Sequence, residues 1–112
     1  MSHLELTKDD RIKLTIKHLV GKYGEDKFVI KDYWEADLLS IGLADTSEKY
    51  LIYFSVYEKD QHEFYVSLEN LNKEGDDLPY EHAGDFDQVS LEKLEHLFLK
   101  HLRINSNREE RY

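Results

Sequence analysis

The stretch NLNKEGDDLPYEHAGDFDQ, residues 70–88, sets six acids (Glu74, Asp76, Asp77, Glu81, Asp85 and Asp87) against one base, Lys73. Carboxylates this dense could hold a cation, could tune a histidine such as His82 for proton transfer, or could meet Lys and Arg side chains of a partner. The cation possibility has a template. NLNKEGDDLPYE has the outline of a calcium loop, with Asn70, Asn72 and Glu74 at positions one, three and five, Gly75 at six and Glu81 at twelve. It departs at the positions that matter: Asn replaces Asp at one, Glu stands at five, and Asp77 takes the apolar eighth position. Pro79 interrupts the loop, and a strand pattern precedes it where a helix should stand. Loose association of a cation with Asp76, Asp77, Asp85 and Asp87 fits these residues better than a built site, and neither metal nor cofactor is expected.

The histidines do not form a ligand set. His96 and His101, five apart, would point about 140° away from each other on one helix. Glu92 and His96, four apart, read as a surface pair. His62 sits in a hairpin turn and His82 among the acids; either could meet a carboxylate as a general acid or base, but no nucleophile stands in place beside them. The chain has no P-loop, dinucleotide fingerprint, HExxH or nucleophile elbow. A hydrolase using His62 or His82 with the loop acids would require those groups to converge in a concave pocket. The expectation is a protein that is not an enzyme.

Aromatic chemistry is more abundant. In LIYFSVYEKDQHEFYVSLEN, residues 51–70, a hairpin turning at Lys59-Asp60-Gln61 sets Val56 opposite Phe64. One face then carries Ile52, Phe54, Val56, Phe64, Val66 and Leu68, and the other carries Tyr53, Ser55, Tyr57, Glu63, Tyr65 and Ser67. The aliphatic face is the natural core and the Tyr-and-Ser face the outside. That outside face can be read as ordinary cross-strand tyrosine pairing or as a patch for a partner, since tyrosine is enriched in interface hot spots and its ring attracts Lys and Arg heads.

The elements that position these groups follow from periodicity. Thr7 to about Val20 reads as a helix, with Thr7 as cap, Asp9 and Asp10 in the first turn, and Ile12, Ile16, Leu19, Val20 and Tyr23 on one stripe; Gly21 and Gly24 offer stops. Residues 28–33 and 38–43 read as strands joined near Trp34-Glu35-Ala36, and the short connections argue for antiparallel neighbours. Residues 70–88 lack periodicity and read as one long acidic loop, pinned by Leu78, Tyr80 and Phe86. Ser90 opens a second helix to about Leu102, with Val89 and Leu94 as a hydrophobic staple. Residues 105–112 form a polar tail. The expected architecture is a single α+β domain over residues 1–112: a four-stranded antiparallel meander with the N- and C-terminal helices packed on one face.

The totals narrow the function. At 112 residues there is room for one core, and 40% hydrophobic with 12% aromatic content marks a folded chain. No apolar run reaches the roughly 18 residues of a membrane span, and MSHLELTKDDR lacks a secretory pattern. Cysteine is absent, in keeping with a cytoplasmic setting. Fifteen Lys and Arg against 24 Asp and Glu leave a formal charge of −9. Such a surface disfavours nucleic acid and anionic membranes and speeds encounter with a basic partner; it also serves solubility alone.

A small, cysteine-free, acidic α+β domain with a Tyr-rich hairpin and a closing helix such as VSLEKLEHLFLKHL resembles the immunity proteins of bacterial polymorphic-toxin and contact-dependent growth inhibition systems. The resemblance implies a tight one-to-one complex, in the cytoplasm, with a cognate toxin domain, often a cationic nuclease. It transfers no residue roles. The residues themselves point to Asp76, Asp77, Glu81, Asp85 and Asp87, with Tyr80, Tyr53, Tyr57 and Tyr65, as the surface for such a partner. A different class is a small adaptor or regulatory protein that binds another basic protein or peptide, for instance by strand addition at a sheet edge.

Overall fold

Asp9, two residues beyond the expected cap, opens the first helix: its carboxylate accepts from the backbone N–H of Arg11 at 2.9 Å and again from Arg11 Nε at 3.0 Å. The computed structural model describes residues 8–31, 38–59, 63–71 and 80–104, without the side chains of Leu71, Tyr80 and Glu81. Thr7 lies outside that set, as do the Trp34-Glu35-Ala36 connection, His62 and the tail 105–112. Helix α1 runs Asp10–Tyr23, one turn past Val20, because Gly21 continues it and Gly24 ends it at φ +98°. Only a residue without a side chain takes that backbone conformation easily.

Five strands follow, β1 (Phe28–Lys31), β2 (Ser40–Asp45), β3 (Tyr50–Ser55), β4 (Glu63–Leu71) and β5 (Tyr80–Ser90), and then α2 (Leu91–His101). They form an antiparallel meander in chain order. The β3–β4 hairpin pairs Ile52 with Leu68, Phe54 with Val66 and Ser55 with Tyr65, the register that sets Val56 against Phe64. β2 starts and ends two residues later than residues 38–43, because Leu38 and Leu39 form a turn before it.

The expected four-stranded sheet is therefore corrected to five, and the expected loop 70–88 gives way at Tyr80 to an eleven-residue strand. The pattern hid it because β5 is two residues longer than the nine-residue β4 it pairs with. Ala83 is extra between the pairs Leu68–Gly84 and Glu69–His82, and either Asp87 or Gln88 is extra between Phe64–Val89 and Val66–Phe86. Each such bulge inverts the alternation of faces. His82 and Asp85 thus share one face, and Phe86 and Val89 the other, although each pair is three apart.

Both helices cover one face of the sheet. Ile12, Ile16 and Leu19 of α1 and Leu94, Leu97 and Phe98 of α2 join Ile41, Leu43, Ile52, Phe54, Phe64 and Val66 in one buried cluster. Phe98 anchors it, edge-on to Phe28 at 5.2 Å and tilted against Tyr23 at 6.0 Å. Ser90 caps α2 by accepting from the N–H of Lys93 at 3.1 Å, and Val89 and Leu94 are both buried, as a staple requires. No helix among the described residues is long and apolar enough to cross a membrane.

The second face is not uniformly wet, as the hairpin alternation alone would have it. Ser40, Ala44 and Leu51 on that face are wholly buried, and Ser55 and Ser67 nearly so. Exposure is concentrated at one end, around Tyr57 and the β4–β5 pair.

Candidate functional site

The exposed sector of the second face is built from the ends of β3, β4 and β5. Strand alternation puts Tyr53 and Tyr65 on this side, and their rings meet edge to face at 6.3 Å. Tyr57 follows in the turn and is 61% exposed. These three tyrosines, with Ser55, Glu58 and Asp87, line an open hollow of about 560 Å³. Lys59 reaches into it and pairs with Asp87. The lysine side chain is largely buried there, held from behind by Arg11, whose Nη1 donates to the Lys59 carbonyl at 3.1 Å. The Lys59 ammonium pulls the Asp87 carboxyl below its ordinary range, so that Asp87 is an anion at neutral pH.

Tyr65 donates its hydroxyl to Asp85 Oδ2 at 3.2 Å. Burial first, and the neighbouring Asp85 carboxylate second, raise the phenol's pKa, which keeps it a donor. On its other oxygen, Asp85 accepts from His82 Nε2 at 3.4 Å, while His82 Nδ1 donates to Glu69 Oε2 at 3.1 Å. A carboxylate faces each ring nitrogen. The hydrogen bond to Glu69 leads in raising the His82 pKa, Asp85 adds to it, and desolvation opposes.

Ser67, His82 and Asp85 have the residue types of a hydrolytic triad, and the bulge at Ala83 brings them together. Their bonding is wrong for nucleophilic catalysis. Ser67 is buried and gives its proton to Glu69, and His82 Nδ1, 3.4 Å from Ser67 Oγ, is itself a donor to Glu69. The Ser67 hydroxyl proton is thus directed to Glu69 and not to the imidazole that would have to accept it. His82 also does not line the hollow beneath the three tyrosines. Among the described residues no group of three or more His, Asp or Glu is arranged to hold a metal ion.

Of the residues singled out from the sequence, the fold brings Tyr53, Tyr57, Tyr65, Asp85 and Asp87 into this one sector. Tyr80 and Glu81 are placed in β5 by their backbone alone; Asp76 and Asp77 lie outside the described residues. Sequence reasoning put Ser67 on this face but missed Lys59 and Glu69. Of these only Glu69 carried a signal, since an acid that continues the Tyr-and-Ser alternation past Ser67 lands beside whatever pairs with β4. Comparison with protein-family models, curated proteins and solved structures finds no match to this chain.

Proposed function

We propose that this protein binds and neutralises a basic protein, as the immunity proteins it resembles do with their toxins, by covering a cationic surface with the sector around Tyr53, Tyr57 and Tyr65. The reading describes a binding protein of the cytoplasm and not an enzyme. Its main support is the hollow's existing content: a lysine ammonium, that of Lys59, already sits among three tyrosines on the carboxylate of Asp87. A site that stabilises an internal cation has the chemistry to receive a partner's Lys or Arg, with Glu58 and Asp85 at hand as further acceptors and Tyr57 as a ring to stack on. The formal −9 adds steering toward such a partner.

The test is co-purification from the native host, followed by titration of the recovered partner with variants. The partner should be basic and elute with salt. Glu58→Lys with Asp85→Lys should weaken binding by about tenfold or more and flatten its salt dependence; Tyr57→Ala should speed dissociation. An acidic partner, or an unchanged dissociation constant and salt slope, overturns the reading.

One observation favours an adaptor that captures a basic strand. Among the described residues β5 pairs on one side only, so its other edge is open to a further strand. The two bulges work against it, because an incoming strand would have to match both irregularities. Alanine substitutions on the tyrosine sector that leave binding intact would turn the choice toward the edge.

A further inference from the structure

The opposite side of the sheet carries a second hollow, of about 410 Å³, where β4 and β5 run out from beneath the end of α2. We propose that it binds a small organic anion with an apolar body, such as an aromatic or aliphatic carboxylate or sulfonate.

Its floor is apolar. Leu68 and Phe86 lie on the helix-covered face of the sheet and Leu97 comes from α2. Phe86 is nevertheless 37% exposed, although Lys93, in the first turn of α2, reaches over its ring. The walls are cationic: Lys100 and Arg103 line the hollow, and Lys93 Nζ lies 5.8 Å from the centre of the Phe86 ring. His101 completes the rim, its ring fixed by an Nε2 hydrogen bond to the Glu69 carbonyl at 2.9 Å and edge-on to Tyr50 at 5.7 Å. In a chain with 24 acids and 15 bases, none of the described residues that line this hollow is acidic. The volume lies within the roughly 300–1,000 Å³ of small-molecule sites, which combine apolar walls with a few placed polar groups.

Part of this positive charge has a simpler cause. Cations in the last turn of a helix complement its dipole, which accounts for Lys100. It does not account for Arg103. After the cap at Leu102, Arg103 sits at φ +58°, the left-handed position where helix ends favour glycine. The Ile104 N–H closes the turn onto the Leu99 carbonyl at 2.9 Å. A side chain there carries a backbone cost that glycine would avoid. What the arginine gains is position: its guanidinium lies 4.7 Å from the centre of the Tyr50 ring, at the rim of the hollow. The cations at the rim call for an anion, and the floor calls for an apolar group attached to it.

The test uses the folded chain, the fluorescent anion anilinonaphthalene sulfonate and its uncharged counterpart phenylnaphthylamine. The sulfonate should saturate one site and bind about tenfold more tightly than the neutral probe. The double variant Lys100→Gln with Arg103→Gly should lose about tenfold in sulfonate affinity while its affinity for the neutral probe holds. The variant is expected to fold, because glycine relieves the turn, and an undiminished melting temperature verifies this. Equal affinity for the two probes, sulfonate binding unchanged in the folded double variant, or a fluorescence rise only on unfolding would each overturn the proposal. It stands independently of the tyrosine sector, whose partner would be a cation.

Discussion

Tyr23 of α1 donates its hydroxyl to Oε2 of Glu95 on α2, and Lys22 Nζ reaches the same oxygen at 2.6 Å. His18 Nε2 takes Oε1 at 2.8 Å, so one carboxylate ties three side chains of α1 to α2. Burial alone would raise the Glu95 pKa; hydrogen bonds from Lys22, Tyr23 and His18 outweigh it and hold the group at about 2, from 4.5. The folded value is depressed, so the contribution is complete above pH 4.5 and is lost as pH falls toward 2. It amounts to at most roughly 3 kcal/mol. Urea unfolding at a series of pH values should show this acid loss in the parent, and Glu95→Gln should be destabilised at pH 7 with a flatter acid limb.

His82 titrates in the opposite sense. With carboxylates on both nitrogens its pKa lies above 6.5. Its pairing with Glu69 therefore stabilises the fold fully below pH 6.5 and fades as pH rises through the folded value. Ring-proton NMR should give a midpoint above 6.5, and Glu69→Gln should bring it down. A midpoint that stays put in that variant would mean Glu69 is not the principal cause.

The two ends of α1 make a paired prediction. Asp9→Ala removes the acceptor for the Arg11 N–H and should cost about 1 kcal/mol in thermal or urea unfolding. Gly24→Ala places a Cβ 2.8 Å from Asp26 Oδ1 at φ +98°. Asp26 can swing aside but the backbone cannot, so this change should cost about 1–2 kcal/mol. Adding Asp26→Ala should recover little of it.

Phe98 joins both helices to β1 through Tyr23 and Phe28. Phe98→Ala should cost about 3–5 kcal/mol in urea unfolding. Leu14→Ala on the same fold, at a side chain 64% exposed, should stay within about 0.5 kcal/mol of the parent.

The parts of the fold that were legible are those where one periodicity runs unbroken. Ile52 to Val56 and Phe64 to Leu68 alternate without interruption, and that was enough for the hairpin's register. Ser90 followed by a 3.6-residue stripe marked α2. β5 was illegible because Ala83 and a residue at 87–88 inserted themselves into the alternation, and because Gly84 and the acids disfavour a strand by composition. The tyrosine sector was half legible: the tyrosines share a face by alternation, but Lys59 enters from the turn and His82 meets Glu69 only across a bulge. The corner near α2 had no local signal. Tyr50, Leu68 and Phe86 come from three strands and Arg103 from the turn after α2, and only the meander and the packing of α2 on it bring them together.

Two surplus residues in β5 also bear on how the molecule keeps to itself. An eleven-residue strand that pairs on one side only, among the described residues, is a template on which identical chains could stack. Because β5 must absorb its two-residue excess over β4, its backbone is kinked at two points, and a flat copy cannot zip along it. Trimming Ala83 and Gln88 would straighten the strand, and the price would be a protein that precipitates from concentrated solution.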